Sequence, residues 1–138
     1  MANVLLVEDR RSYLGLWRAE FEGRGHKVDQ ARNEEAAMQK IAEQSFDAIV
    51  LGICLVDGGG SETGGLEVAR WMRAHQEERL RRLPIIFTVE NPDERYRKEF
   101  MRLIEEGGTG AALSRPFSTR DLRRAVEKFL PKESEGNG

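Results

Sequence analysis

The stretch FDAIVLGICLVDGGGSETGG, Phe46 to Gly65, decides how this chain is read. Its first part, DAIVLGI, is a short unbroken apolar run, the form taken by a strand buried on both faces of a sheet. The run stops at Gly52 and empties into a loop dense with glycine. In parallel α/β sheets, sites are built in the loops beyond the carboxyl ends of strands. This loop has the glycines of a site, so the question is what stands at the strand's end.

Outward from that strand the periodicity alternates. NVLLVE (3–8) is a second continuous apolar run, and the stretch after it carries Leu14, Trp17 and Phe21 at helical spacing before Gly23 and Gly25 stop it. HKVDQA is a half-polar strand suited to a sheet edge. Asn33 is a cap for EEAAMQKIAEQ, with Glu34 and Glu35 at the positive end of the helix dipole. Beyond the glycine loop, Leu66, Ala69 and Met72 mark a helix to about His75. EERLRR reads as a charged connection, and PIIFTV as a strand opened by Pro84. Asn91, Pro92, Asp93 and Glu94 announce another helix, with Tyr96, Phe100 and Leu103 as its stripe. TGAALS is a short small-residue strand. Ser118 to Asp121 resembles a capping box opening a last helix that buries Leu122, Val126, Phe129 and Leu130. Five strands alternating with five helices predict an α/β fold: a parallel sheet with helices on both faces, joined by right-handed crossovers.

At 138 residues the chain is long enough for one domain with a real core, expected over 1–131, followed by a polar, disordered tail over 132–138. A net charge of -2 gives no push toward nucleic acid or membrane. One cysteine excludes an internal disulfide and fits a reducing compartment. With no signal-peptide pattern and no run of membrane-spanning length, the expectation is a cytoplasmic protein without membrane or nucleic-acid partners.

The order and spacing of VLLVED, GHKVDQARNEEAAMQKI, FDAIVL, GGLEVARWMR, LPIIFTVE and SRPFSTRDLRRAVEKFL resemble the receiver domain of two-component response regulators, over nearly all of residues 2–130. The resemblance implies a flavodoxin-like (βα)5 three-layer sandwich with strand order 2-1-3-4-5, and a cis peptide before Pro116. It also implies a phosphorelay site: an aspartate ending strand three that accepts phosphate, two acids after strand one that hold Mg²⁺, a hydroxyl after strand four, and a lysine before Pro-Phe. The acidic pair is present as Glu8 and Asp9. The phospho-acceptor position is Gly52, and the lysine position is Arg115, a forked cation in place of a point charge. Counting from Pro84 places the hydroxyl position at Val89, with Thr88 one residue early and expected to face the other way. The loop after strand three is longer than the family's usual one and lacks its proline.

These departures predict a degenerate site without phosphorelay chemistry: not an enzyme, and a stand-alone, phosphorylation-independent binding module in a signalling pathway. The resemblance places its contact surface, for another signalling protein or for a homodimer, on the face of helix 4, strand 5 and helix 5. The family's switch pairs the hydroxyl with an aromatic on strand five, and here those positions are Val89 and Ala112. No cofactor is expected, and Glu8 and Asp9 would hold Mg²⁺ weakly at most, because Arg115 or Arg10 is expected to pair with Asp9. The alternative is phosphotransfer to a displaced carboxylate such as Asp57, five residues beyond Gly52 in a loop read as a flexible connector. A third reading is a small molecule in the emptied cleft.

Other candidates carry less. GGGSETGG has no P-loop lysine and does not fit the dinucleotide fingerprint. Cys54 reads as a small core residue, and His26 and His75 show no ligand spacing with it. Arg70, Arg73, Arg79, Arg81 and Arg82, and Arg120, Arg123 and Arg124, are interleaved with acids and read as solvated helix surface.

Overall fold

The computed structural model describes residues 2–90, 94–108 and 110–131. Five strands, β1 (Asn3–Val7), β2 (Lys27–Ala31), β3 (Ala48–Gly52), β4 (Ile85–Val89) and β5 (Gly110–Ser114), form one sheet in the order β2-β1-β3-β4-β5. All four pairings are parallel. The three most apolar strands are the inner ones, since only they are covered on both sides. The half-polar β2 and the small-residue β5 lie at the edges. This is the doubly wound sandwich that the alternation predicts, with the flavodoxin-like strand order that the resemblance implies.

Alternate residues of the inner strands feed two cores. Leu5, Val7, Ile49, Leu51, Ile85 and Phe87 pack against α2 (Glu34–Glu43), α3 (Gly64–Arg73) and α5 (Glu94–Gly107). Val4, Leu6, Ala48, Val50 and Ile86 face α1 (Arg11–Glu22) and α6 (Thr119–Glu127). Each fully buried aliphatic side chain stabilises the fold by about 1.5–3 kcal/mol.

The predicted caps operate. Asn33 accepts the Ala36 amide at 2.9 Å. Ser118 accepts the amide of Asp121, which in return accepts the amide of Ser118. The helix start expected at Asn91 to Asp93 and the tail over 132–138 lie outside the described residues.

Two expectations change. The charged connection EERLRR contains a sixth helix, α4 (Glu78–Arg81), because Leu80 is fully buried and anchors the turn. Two arginines assigned to solvated surface are buried. Arg73 donates to the carbonyls of Leu103, Arg81 and Leu83 at 2.8–2.9 Å, tying α3 to α4, α5 and the entry to β4. Burial pulls its guanidinium down to about 10, still charged at neutral pH. Arg123 lies between Glu20 and Glu127, at 2.6 Å from each, where it joins α6 to α1.

Candidate functional site

Sheet register builds the site. β1 delivers Glu8 and Asp9, β3 ends at Gly52, β4 ends at Thr88 and Val89, and Arg115 follows β5. Together with loop residues they line a cavity of about 290 Å³ at the carboxyl ends of the strands. The Arg115–Pro116 peptide is cis.

Gly52 lies at the centre. A Cβ built on it would meet Glu8 Oε1 and the Val7 carbonyl at 3.3 Å and Thr88 Oγ1 at 3.5 Å. Gly52 and Thr88 are register partners across the β3–β4 ladder, so they point to the same side of the sheet. That corrects the expectation for the hydroxyl. Thr88, not Val89, presents its oxygen beside Gly52, while Val89 contributes only apolar wall. Counting from Pro84 misplaced it, because the ladder, not the proline, sets which residue is opposite Gly52.

The acidic pair is compensated differently from expectation. Glu8 Oε2 accepts the Arg10 amide at 3.0 Å, and Glu8 Oε1 lies 3.9 Å from the Arg115 guanidinium. The Arg10 side chain leaves the pair and bridges to Glu90 at 2.6 Å. Asp9 Oδ2 accepts the backbone amide of Asp57 at 2.9 Å, so a loop N–H takes the place of the arginine predicted for it. Burial, a hydrogen bond with Asp9 and repulsion from Asp9 push the Glu8 carboxyl up to about 8, against the pull of the Arg10 amide and Arg115. Glu8 therefore keeps its proton at neutral pH.

Arg115 is held over the rings of Tyr13 and Phe117, at 3.9 and 5.1 Å from their centroids. Its planar cation stacks on aromatic faces as an ammonium would not.

The glycine loop is not a connector. Asn33 and Arg32 donate side-chain N–H groups to the carbonyls of Gly58 and Asp57, and Glu34 accepts the Ser61 amide at 3.1 Å. A Cβ on Gly58 would come within 1.9 Å of the Arg32 carbonyl, and one on Gly65 within 1.9 Å of the Gly52 carbonyl. At these positions glycine serves close backbone approach rather than mobility. The loop folds over the start of α2 and carries Glu62 to the cavity, an acid the sequence reading missed. Asp57 lies in a single 3-10 turn, is exposed, and does not line the cavity. Cys54, expected in the core, is exposed at the cavity's edge because β3 has ended two residues earlier.

The residues do not fit a resident Mg²⁺. Gly52 supplies no carboxylate, Glu8 Oε2 is taken by the Arg10 amide, and one oxygen of Asp9 is already committed. Among the described residues, no group of three His, Cys, Asp or Glu side chains is placed to hold a metal ion.

Residues 4–127 match the family model of the response regulator receiver domain. The chain belongs to that family. This receiver domain is 28% identical over 132 residues to the polar-differentiation response regulator DivK of Brucella anthropi, covering 93% of this chain and 95% of the relative. DivK of Brucella ovis matches over the same extent at 28% identity. Among solved structures, the chemotaxis protein CheY4 of Vibrio cholerae superposes with a TM-score of 0.77 at 21% identity, covering 94% of this chain and 99% of that one. The receiver domain of a sensor histidine kinase from Pseudomonas aeruginosa, which coordinates magnesium in its active-site cleft, superposes at 0.75 with 24% identity, covering 93% and 96%. This receiver domain thus belongs to two-component signalling. Among its described residues, no helix is long and apolar enough to cross a membrane.

Proposed function

We propose that this receiver domain is a degenerate one, acting as a phosphorylation-independent protein-binding module in two-component signalling. One observation carries the reading: Gly52, with no side chain, ends β3 between Glu8 Oε1 and Thr88 Oγ1, where the family's acceptor carboxylate would stand. Phosphoryl transfer to a carboxylate depends on positioning and on fixed charges around the phosphoryl oxygens. Neither the acceptor nor a fitting metal site is present at that point. The hydroxyl half of the family's switch is retained as Thr88, but Ala112 on β5 has no ring to move in response.

The proposed contact surface is the face of α5, β5 and α6, equivalent to the helix 4, strand 5 and helix 5 face once the additional α4 is counted. It would engage another signalling protein or a second copy of the chain.

Incubation with acetyl phosphate and Mg²⁺ followed by intact-mass measurement tests the reading. The expected spectrum is unchanged. A stable gain of about 80 Da, one phosphoryl unit, would overturn it. Loss of that gain in Asp57→Asn would assign the displaced acceptor.

A further inference from the structure

The cleft over Gly52 has one wall of oxygen and one of carbon. Glu8 and Asp9 are its buried acids, and Glu62 and Glu90 its exposed ones. Arg115 is the one guanidinium among its described lining residues, and it is already engaged by Tyr13, Phe117 and Glu8. Glu90 is bridged by Arg10. Among the described residues, neither the Asp9 nor the Glu62 carboxylate pairs with a cationic side chain, while the Arg32 guanidinium donates to the Asp9 backbone carbonyl at 2.6 and 3.0 Å.

A second observation is independent of the acids. Thr88 is only 4% exposed, and its hydroxyl faces the space over Gly52 with no hydrogen-bond partner among the described residues. Its Oγ1 is reachable from the cavity, where a donor that enters can pair with it. The carbon wall consists of Ile53, Val89 and the Tyr96 side chain.

Mg²⁺ needs near-octahedral oxygen ligands, and among the described residues no group of three acidic, His or Cys side chains is placed to hold a metal ion. An ammonium or guanidinium needs only hydrogen-bond acceptors in reach of its donors, and its alkyl stem gains by lying on carbon. We propose that the cleft binds an organic monocation, a primary ammonium or guanidinium on a short alkyl stem. The head takes Asp9, Thr88 and Glu62, and the stem lies along Ile53 and Val89. Such a group can come from a free amine or from a lysine or arginine side chain of a partner protein. The inference rests on the cleft lacking a phosphoryl acceptor.

The test is a ¹H–¹⁵N correlation titration of the full chain with n-butylammonium and n-butylguanidinium, with n-butanol as the neutral control. Saturable shifts confined to Glu8–Arg10, Gly52–Cys54, Glu62 and Thr88–Glu90 are expected, with a Kd of about 1 mM for a ligand this small. Butanol should bind at least about tenfold more weakly, and Asp9→Asn should weaken the amine about tenfold. Should Asp9→Asn disturb the fold, the exposed Glu62→Gln leaves the core untouched and should still weaken binding several-fold. Equal titration by butanol, scattered shifts, or a linear response without saturation would overturn the proposal. A blocked Gly-Lys-Gly peptide reproducing the amine's shifts supports a partner side chain as the source, and amine binding without peptide binding supports a free metabolite. An absent titration with no phosphoryl adduct sinks this inference alone. An adduct with amine binding intact sinks only the reading of the cleft as phosphorylation-independent.

Discussion

Replacing Glu8 by glutamine probes the electrostatics of the cleft most directly. Burial first, and Asp9 second, lift the Glu8 carboxyl from 4.5 to about 8. The unfolded chain ionises this group near 4.5, whereas the folded chain holds its proton until about 8. Folding therefore takes up a proton in that window, and the contribution of Glu8 to stability falls as pH rises from about 4.5 to about 8, then levels off. At 1.36 kcal/mol per pH unit, the full rise corresponds to roughly 4–5 kcal/mol above pH 8. Glutamine cannot ionise, yet keeps an oxygen for the Arg10 amide. The attraction of Arg115 at 3.9 Å is already contained in the value of about 8 and takes nothing further from the gain. The net expectation is a variant roughly 4–5 kcal/mol more stable than the parent near pH 9 and about equal to it near pH 4. Urea unfolding followed by tryptophan fluorescence reads this difference, and Trp17, buried and stacked on Tyr13, is a suitable reporter. Titrations common to both proteins cancel in the comparison. Parallel stability curves across the pH range, or a variant less stable at alkaline pH, would refute a buried, protonated Glu8.

Gly52→Asp returns a third carboxylate to the cleft at the cost of small shifts, since its Cβ would meet neighbours at 3.3–3.5 Å. Its melting temperature should rise by several degrees with Mg²⁺ while the parent's does not, as a thermal-shift titration would show. Gly65→Ala should cost about 2–4 kcal/mol, because its Cβ would overlap the Gly52 carbonyl at 1.9 Å. Gly15→Ala meets nothing within 4 Å and should stabilise α1 by up to about 1 kcal/mol; equal effects of these two variants in urea melts would contradict the close approach of α3 to β3. Arg73→Ala abandons three carbonyl partners in the interior and should cost about 3 kcal/mol in the same assay. Arg73→Lys should recover only part of it, since an ammonium lacks the planar fork that reaches α4 and α5 together.

The elements were legible because their signals are local. A continuous apolar run such as AIVLG has to be covered on both faces, and Asn33 and Ser118 announce helix starts through hydrogen bonds within one turn. That the central strand ends on a residue without a side chain, Gly52, was readable too. Thr88 was misjudged because its facing depends on which residue of β3 it pairs with, a matter of sheet register rather than of distance from Pro84. The loop was misjudged because glycine looks the same in sequence whether it serves motion or contact, and the contacts here come from Arg32, Asn33 and Glu34 on another segment. Arg73 offered no sequence signal: a run of arginines among acids reads as surface until α4 and α5 close over one of them.

From the residue string alone follow the doubly wound sheet, its strand order through the family resemblance, the acidic pair Glu8–Asp9, and a glycine at the end of the central strand. These depend on side-chain identity and on periods of two and 3.6 residues, which are properties of neighbours along the chain. Folding decided which hydroxyl faces the gap, which hydrogen bond satisfies Asp9, why Glu8 keeps its proton, and that Glu62 reaches the cleft. Each of these is set by groups far apart in sequence, and by how much water the surrounding protein excludes from between them.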